Sequence, residues 1–192
     1  MKRKIACFIV FILALLTSTA SVAAENSPPK AGGAFPEIEL LKPNNSADLK
    51  YLGLSGGGNS FKVNQIKAKA VIIQIYSMYC PYCQAEAPNV NRLYASIENN
   101  PELKDKIKII GIGVGNSQFE TGIYKKKYTV AFPLLPDGDF KIHKIFGEVR
   151  TPYFIAVKLN SEKPPEVIYS RLGALENNDL FLAQIIRLSG LK

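Results

Sequence analysis

Residues 69–88 read KAVIIQIYSMYCPYCQAEAP, and the rest of the chain is organised around this stretch. Its first part, residues 70–76, is almost continuously apolar and rich in isoleucine, which predicts a strand buried on both faces of a sheet. A second apolar pattern follows at spacings of three and four residues, in Val90, Leu93, Tyr94 and Ile97. This pattern predicts one apolar stripe of a helix that runs to about residue 99. A Cys-x-x-Cys motif therefore lies where a buried strand is followed by a helix.

The motif is Cys80-Pro81-Tyr82-Cys83, and its position predicts redox chemistry. Cys80 is expected at the helix N-terminus, where unpaired backbone N–H groups and the helix dipole stabilise negative charge. Both effects stabilise the thiolate, which is the nucleophile, so the pKa of Cys80 is expected in the range of roughly 3.5–7.5 seen in such motifs. Cys83, one turn later, is placed to attack a mixed disulfide on Cys80 and release the substrate. Pro81 fits the first turn because its missing N–H has no intrahelical partner there.

The stretch resembles the active site of thioredoxin-fold proteins, and the wider pattern is similar to bacterial extracytoplasmic disulfide reductases of the TlpA/ResA type. Residues 79–83 and 84–88 correspond to the W-C-x-x-C and x-x-E-x-P of that group, and residues 66–69 resemble the L-K-G-K that precedes its strand. Two positions depart from the pattern. Tyr79 stands where tryptophan is usual, and Gln74 stands where thioredoxin has a buried aspartate.

The resemblance covers the chain from about Phe35 to the C-terminus and implies an α/β, thioredoxin-like fold. In this fold a central mixed β-sheet carries helices on both faces, here with an N-terminal extension. The extension is expected to contain a short edge strand at 37–41 and to form a β-hairpin beside the fold. Further strands and helices are predicted at residues 104–113, 117 onward (opened by a capping box of Ser117 and Glu120), 132–135, 141–146, 154–157, 167–170 and 178–189.

A second site of interest is Arg150-Thr151-Pro152-Tyr153, which leads into an apolar strand. By resemblance, Pro152 is the cis-proline that faces the redox pair in thioredoxin-fold proteins. The backbone of Thr151 would then pair with an extended substrate peptide. An ordinary trans X-Pro bond before a strand is the alternative, and it is far commoner in general.

Four further residues near the cysteines are candidates for the site. Glu86 is the candidate for the proton relay and the third catalytic residue, because Gln74 cannot exchange a proton. A glutamate at this place is buried and tunes the cysteines in ResA-like proteins, but a surface glutamate of an amphipathic helix is the alternative. Tyr79 and Tyr82 flank the thiols and are expected, with Pro81, to shape a surface that docks the substrate.

The N-terminus has the pattern of an export signal. Basic residues at 2–4 precede the apolar run 5–16, and small residues end the segment at 21–24. The run is short of the about 20 apolar residues that span a bilayer, so cleavage is favoured over a retained membrane anchor. We therefore predict a signal peptide at 1–24, a flexible leader at 25–35 and a thioredoxin-like domain at 36–192.

Removal of this segment changes the cysteine count and the charge. Only Cys80 and Cys83 remain of the three cysteines, so the exported chain is not a scaffold held by several disulfides. Three basic residues and no acidic ones are lost, and the formal net charge falls from +8 to +5. The densest basic run, 125–127, has no accompanying aromatic stripe. It predicts a solvated helix face and no nucleic-acid partner.

The residues leave several other chemistries open. A Cys-x-x-Cys can be half of a zinc site, but His143 is the one other residue of histidine or cysteine type in the exported chain, and we expect no metal and no cofactor. A structural disulfide between Cys80 and Cys83 is also possible, although so short a loop stabilises little. A peroxiredoxin-like peroxide reductase uses P-x-x-x-T/S-x-x-C, which Ser77 and Cys80 match but Ile73 does not. A copper chaperone uses C-x-x-x-C with a histidine, one residue longer than the spacing here.

The resemblance favours an extracytoplasmic or periplasmic thiol–disulfide oxidoreductase that reduces protein disulfides as a monomer. It implies protein thiol and disulfide substrates, a membrane thiol–disulfide relay as electron donor, and a place in cytochrome c maturation. The residues themselves do not set the direction of electron flow. Potentials of similar Cys-x-x-Cys proteins run from about −270 to about −120 mV, and the difference depends on thiolate stabilisation.

Overall fold

A central mixed sheet with helices on both faces accounts for most of the described chain, residues 27–160 and 163–191 of a computed structural model. The predicted signal peptide lies outside these described residues. In chain order the elements are β1 (Leu40–Leu41), α1 (Ser46–Leu52), β2 (Ser60–Phe61), β3 (Ala70–Tyr76), α2 (Pro81–Glu98), β4 (Ile107–Val114), α3 (Gln118–Lys127), β5 (Leu134–Asp137), α4 (Lys141–Ile145), β6 (Tyr153–Lys158), β7 (Glu166–Leu172) and α5 (Asn178–Ser189).

The apolar strand β3 is the middle of a five-stranded sheet with the order β5-β4-β3-β6-β7. β3, β4 and β5 run parallel, whereas β6 is antiparallel to β3 and to β7. All seven residues of β3 are buried, as expected for a strand with neighbours on both edges and helices on both faces. The predicted fold class is confirmed.

Alternate residues of β3 feed two separate hydrophobic cores because successive side chains of a strand point to opposite faces. Val71, Ile73 and Ile75 belong to the core that includes Leu52 of α1 and Ile142 of α4. The other face packs against the predicted stripe of α2 and against α5. Each fully buried aliphatic side chain contributes about 1.5–3 kcal/mol relative to an exposed one, so this stripe fixes α2, and the cysteines at its start, against the sheet.

Some element bounds match the predictions and others shift; β4, for example, begins three residues later than predicted. β3 and α5 begin and end at the predicted residues, and α3 begins with the predicted capping box, in which Ser117 and Glu120 each bind the other's backbone N–H. β5 lies two residues later than predicted and includes Pro136. A proline is tolerated there because β5 is an edge strand, whose outer N–H groups have no partner in the sheet.

The N-terminal extension differs from the predicted β-hairpin. β1 and β2 pair over two residues each, but the helix α1, which was not predicted, lies between them. Asn45 caps this helix by accepting a hydrogen bond from the Asp48 backbone N–H at 2.7 Å. A seven-residue helix shows too few turns for its apolar period to be visible in the sequence.

The end of the predicted flexible leader is bound to the sheet. The Gly32 N–H donates to the Val167 carbonyl at 2.8 Å, and the Phe35 N–H donates to the Pro165 carbonyl at 2.7 Å. Phe35 is buried and its ring lies 5.7 Å from that of Phe146. The chain therefore joins the fold from Gly32 onward, a few residues before the predicted start of the domain.

Among residues 27–160 and 163–191, no helix has the length and apolar character needed to cross a membrane.

Candidate active site

The loop between β3 and α2 is held in place by side chains on both sides of it. The Met78 N–H donates to Asn116 Oδ1 at 2.9 Å, and Gln84 Nε2 donates to the Met78 carbonyl at 2.8 Å. The Cys80 N–H donates to the Ser77 carbonyl at 3.1 Å. Cys80 is then the N-cap of α2 in an extended conformation, and Pro81 is the first helical residue. Both placements agree with the predicted strand-to-helix transition.

The two cysteines are free thiols in different surroundings. Cys80 is partly exposed, whereas Cys83 is fully buried within the core under α2. Partial burial opposes ionisation of Cys80, but hydrogen bonds from the Thr151 side chain, the Cys83 backbone and thiol, and the Tyr82 backbone outweigh it and lower the pKa of Cys80. Burial raises the pKa of Cys83 to about 12. The arrangement therefore favours a nucleophilic Cys80 and a protonated Cys83.

Thr151 and Pro152 lie directly opposite the first cysteine. The peptide bond between them is cis. The Cys80 thiol donates to the Thr151 carbonyl with an Sγ–O distance of 3.4 Å. This contact joins two segments that are 71 residues apart in the sequence, and it brings together the two motifs that the sequence singled out.

A groove of about 450 Å³ opens beside this contact. It includes three of the residues predicted to bind substrate, Tyr82, Thr151 and Pro152, together with Glu86. The complete lining is Tyr82, Ala85, Glu86, Arg150, Thr151, Pro152, Leu172, Gly173 and Ala174. The groove is therefore an open surface that an extended peptide could enter next to Cys80.

Glu86 is buried, which agrees with the first of the two roles considered for it. Its Oε1 atom accepts hydrogen bonds from the Leu175 N–H at 2.9 Å and from Asn89 Nδ2 at 3.0 Å. A carboxylate needs such partners when it is removed from water. Gln74, at the position of thioredoxin's aspartate, is also buried, and its Nε2 atom has no hydrogen-bond partner among the described residues.

Tyr79 and Tyr82 are exposed on either side of Cys80, at 66% and 76% of their full accessible surface. The Tyr79 hydroxyl donates to Glu120, and this bond, followed by those from the Ser117 backbone and hydroxyl, lowers the pKa of Glu120 to about 2. Pro81 is exposed as well. These residues form a surface around the thiol, and their role in substrate binding stays a prediction.

Several residues that support the site were not predicted from the sequence. The Tyr124 hydroxyl donates to the Cys83 carbonyl at 2.7 Å, and its ring lies 4.7 Å from that of Tyr76. Burial raises the pKa of both tyrosines. The Asn116 side chain holds the Met78 loop. No local pattern could reveal these contacts, because the partners are about 40 residues apart.

His143 does not join the cysteines. It lies on α4, and its Nε2 atom is 2.9 Å from the Val149 carbonyl. Within the described ranges, no three or more His, Cys, Asp or Glu side chains are grouped so that they could hold a metal ion. The geometry therefore gives no support to a copper site built from Cys80, Cys83 and His143.

Comparisons with known proteins agree with this geometry. Two curated relatives are ResA thiol–disulfide oxidoreductases, from Halalkalibacterium halodurans (23% identical over 106 residues, 55% of this chain and 57% of the relative) and from Oceanobacillus iheyensis (23% over 134 residues, 68% and 62%). The chain thus spans about three fifths of the length of the curated relatives it matches. The predicted resemblance to redoxins of the TlpA/ResA type is confirmed.

Solved structures of low sequence identity share the fold. They include a putative thiol:disulfide interchange protein DsbE from Chlorobium tepidum (TM-score 0.61, 12% identical, 84% of this chain and 99% of that one) and StoA from Bacillus subtilis (TM-score 0.53, 15% identical, 81% and 98%). The model of the AhpC/TSA family matches residues 32–167. Because this match covers more than half of the sequence, the chain belongs to the AhpC/TSA family.

Proposed function

We propose that the protein is a thiol–disulfide oxidoreductase that reduces disulfides of other proteins outside the cytoplasm. The observation that carries the proposal is the unequal environment of two cysteines one helical turn apart. Cys80 is accessible with a lowered pKa, and Cys83 is buried with a raised pKa. A nucleophile and a protected resolving thiol are what a dithiol mechanism requires.

The proposed reaction has two exchange steps. The Cys80 thiolate attacks one sulfur of a substrate disulfide, the substrate S–S bond breaks, and one substrate thiolate leaves as the mixed disulfide forms. Cys83 then loses its proton and attacks Cys80 Sγ, which releases the second substrate thiol and leaves a Cys80–Cys83 disulfide. The substrate gains two electrons and two protons. A dithiol of a membrane relay protein is proposed to reduce the Cys80–Cys83 disulfide again.

Glu86 is proposed as the group that handles the proton of Cys83. It is buried on the same helix one turn after Cys83, and it lines the groove beside Cys80. Gln74 cannot replace it because an amide does not titrate in this pH range. Since the pKa of Cys83 is raised to about 12, the second exchange step needs a base to remove its proton.

Thr151, Pro152, Tyr79, Pro81 and Tyr82 are proposed to bind the substrate polypeptide. The supporting observations are the groove, the contact between Cys80 Sγ and the Thr151 carbonyl, and the exposed aromatic rings around the thiol. An extended segment could lie in the groove and present its disulfide to Cys80.

Export, a membrane thiol relay, a place in cytochrome c maturation and a monomeric state complete the proposal. Export is supported by the signal-peptide pattern of residues 1–24 and by the resemblance to extracytoplasmic redoxins. The relay and the maturation pathway rest on that resemblance. The monomeric state stays a prediction from the sequence.

Reduction of insulin by the dithiol form tests the reaction, with Cys80→Ser as the inactive comparison. The direction is tested by the reduction potential of the Cys80–Cys83 couple. We expect a value near the reducing end of the known range, about −270 mV, whereas a value near about −120 mV would make the protein a disulfide donor.

Peroxide reduction is a second candidate because the chain belongs to the AhpC/TSA family and matches part of the peroxidatic motif through Ser77 and Cys80. Ile73, however, takes the place of the motif's proline, and it lies inside β3 with partners on both neighbouring strands. A measurement of peroxide consumption in the presence of a reducing dithiol separates the two functions.

A further inference from the structure

The loop between β7 and α5 is fastened to α2 through one residue, Leu175. Its N–H donates to Glu86 Oε1 at 2.9 Å, and its carbonyl accepts from Asn89 Nδ2 at 2.8 Å. Leu175 is itself buried. Two side chains of one helix therefore satisfy both backbone polar groups of a single loop residue.

Asn89 is the centre of this connection. Its Nδ2 group also donates to Glu86 Oε1 at 3.0 Å, so the two side chains that hold Leu175 contact each other. Its backbone carbonyl accepts from Asn178 Nδ2 at 2.8 Å, and Asn178 is the first residue of α5. We call Glu86, Asn89 and Leu175 the loop clamp.

The clamped loop forms one wall of the groove beside Cys80. Leu172, Gly173 and Ala174 line the groove immediately before Leu175. The Gly173 N–H also donates to the Pro152 carbonyl at 2.9 Å, so the wall is tied to the cis-proline segment. A displacement of Leu175 would therefore change the width of the groove without touching either cysteine.

We propose that Asn89 is a positioning residue that, through the loop clamp, sets the groove to the width of an extended polypeptide segment. This inference rests on the proposed function, because it assigns the groove to a polypeptide substrate. Asn89 does not line the groove, so it acts through Leu175 and Glu86. Reduction of a small disulfide that does not fill the groove should not change when the clamp is broken, whereas binding of a protein disulfide should weaken.

Asn89→Ala tests this with two substrates, insulin and a small aromatic disulfide. We expect KM for insulin to rise about tenfold, the loss typical of one or two hydrogen bonds, with kcat unchanged and the rate with the small disulfide within about twofold of the original protein. Asn91→Ala is the matched control. Asn91 is also partly buried on α2 and donates one side-chain hydrogen bond, to the Tyr128 carbonyl at 2.8 Å, away from the groove.

Asn89→Asp sharpens the test because the two side chains have the same shape. Aspartate retains the oxygen that accepts from Arg92, 3.1 Å away in the present structure, but it cannot donate to Leu175 or to Glu86. The new carboxylate oxygen would face two other acceptors, the Leu175 carbonyl and Glu86 Oε1, and would repel both. We therefore expect a larger increase in KM for insulin than in Asn89→Ala. An equal or smaller increase would contradict the assignment of the Nδ2 donor as the essential group.

Hydrogen exchange at the Leu175 amide gives a readout that does not depend on activity. We expect faster exchange there in Asn89→Ala than in Asn91→Ala. Unchanged exchange, unchanged KM, or equal losses with both substrates would overturn the clamp. If the original protein fails to reduce insulin, the proposed function fails, while the exchange measurement still decides whether the clamp holds the loop.

Discussion

Cys80 and Cys83 begin the same helix, yet their surroundings differ in almost every physical respect. Cys80 lies at the N-cap, partly exposed, with its thiol directed at the Thr151 carbonyl. Cys83 lies under the helix in the core, and its own carbonyl accepts from Tyr124. One turn of helix is enough to move a side chain from the surface to the interior. The difference shows how a helix N-terminus against a sheet produces one reactive and one protected thiol.

The largest expected effect comes from replacing each of the two cysteines in turn. Cys80→Ser should reduce insulin turnover to the buffer background, because the thiol that remains in the motif, Cys83, is buried. Cys83→Ser should still attack but should accumulate a mixed disulfide with the substrate, detectable as an adduct by intact-mass spectrometry. If Cys80→Ser turns over insulin, or if the substrate adduct accumulates on Cys80→Ser and not on Cys83→Ser, Cys80 is not the attacking cysteine.

Replacement of Glu86 tests how Cys83 loses its proton. Glu86→Gln keeps an oxygen that can accept from the Leu175 N–H but cannot exchange a proton. We expect kcat to fall about 100-fold, the lower range for loss of a general acid or base, and the pH dependence of kcat to change. Asn89→Ala is the control, since it removes a hydrogen bond to Glu86 Oε1 and leaves the carboxylate in place. If Glu86→Gln has unchanged kcat, Glu86 serves only the loop clamp.

Tyr124→Phe tests the hydrogen bond that holds the backbone of the buried Cys83. The substitution leaves the buried Cys83 carbonyl without the hydroxyl donor that lies 2.7 Å away. The carbonyl keeps its bond within α2, so the loss of this additional hydrogen bond should cost about 0.5–1.5 kcal/mol, measured as the loss of free energy of unfolding in urea. Tyr128→Phe is the control, because the Tyr128 ring packs against that of Tyr124, with 4.6 Å between the ring centroids, and its hydroxyl forms no hydrogen bond within the described residues. Equal losses in both variants would assign the effect to packing.

The smallest expected effect is on the pH dependence of stability of the reduced protein. The pKa of Cys83 is raised in the folded state to about 12, so its contribution is complete below the unfolded value and is lost as pH rises toward 12. The lowered pKa of Cys80 contributes fully above the unfolded value of about 8.5, and it adds no slope there. Between about pH 9 and 10 the Cys83 contribution to the free energy of unfolding should therefore fall by up to about 1 kcal/mol per pH unit, and Cys83→Ala should show a shallower slope, of which the buried Tyr76 and Tyr124 retain a part. An identical slope in that variant would mean that Cys83 ionises freely in the fold.

The sequence predicted the strand, the helix and the cysteine pair because each has a strong local signal. The run 70–76 and the stripe of α2 are long enough to show their periods, and the helix N-terminus follows from Pro81. The short helix α1 was missed, since seven residues show barely two turns and its Asn45 cap is also a common turn residue.

The site could be predicted only where a motif contains the residue. Cys80, Cys83, Glu86 and Pro152 stand in recognisable patterns, and the structure brings all four to one end of the sheet. Asn89 and Tyr124 stand in no motif, because their partners are chosen by packing between elements far apart in the chain. Whether Glu86 is buried likewise depends on the β7–α5 loop, which covers it from 89 residues away.

The pH dependence of alkylation at each cysteine of the reduced protein tests the central claim most directly. Timed labelling with iodoacetamide, resolved by peptide mass spectrometry, gives the ionisation of each thiol separately. We expect Cys80 to be labelled with a midpoint below the about 8.5 of a free thiol, while Cys83 remains unlabelled until the pH far exceeds that value. Equal labelling of the two cysteines, or faster labelling of Cys83, would contradict the division into a nucleophile and a protected partner.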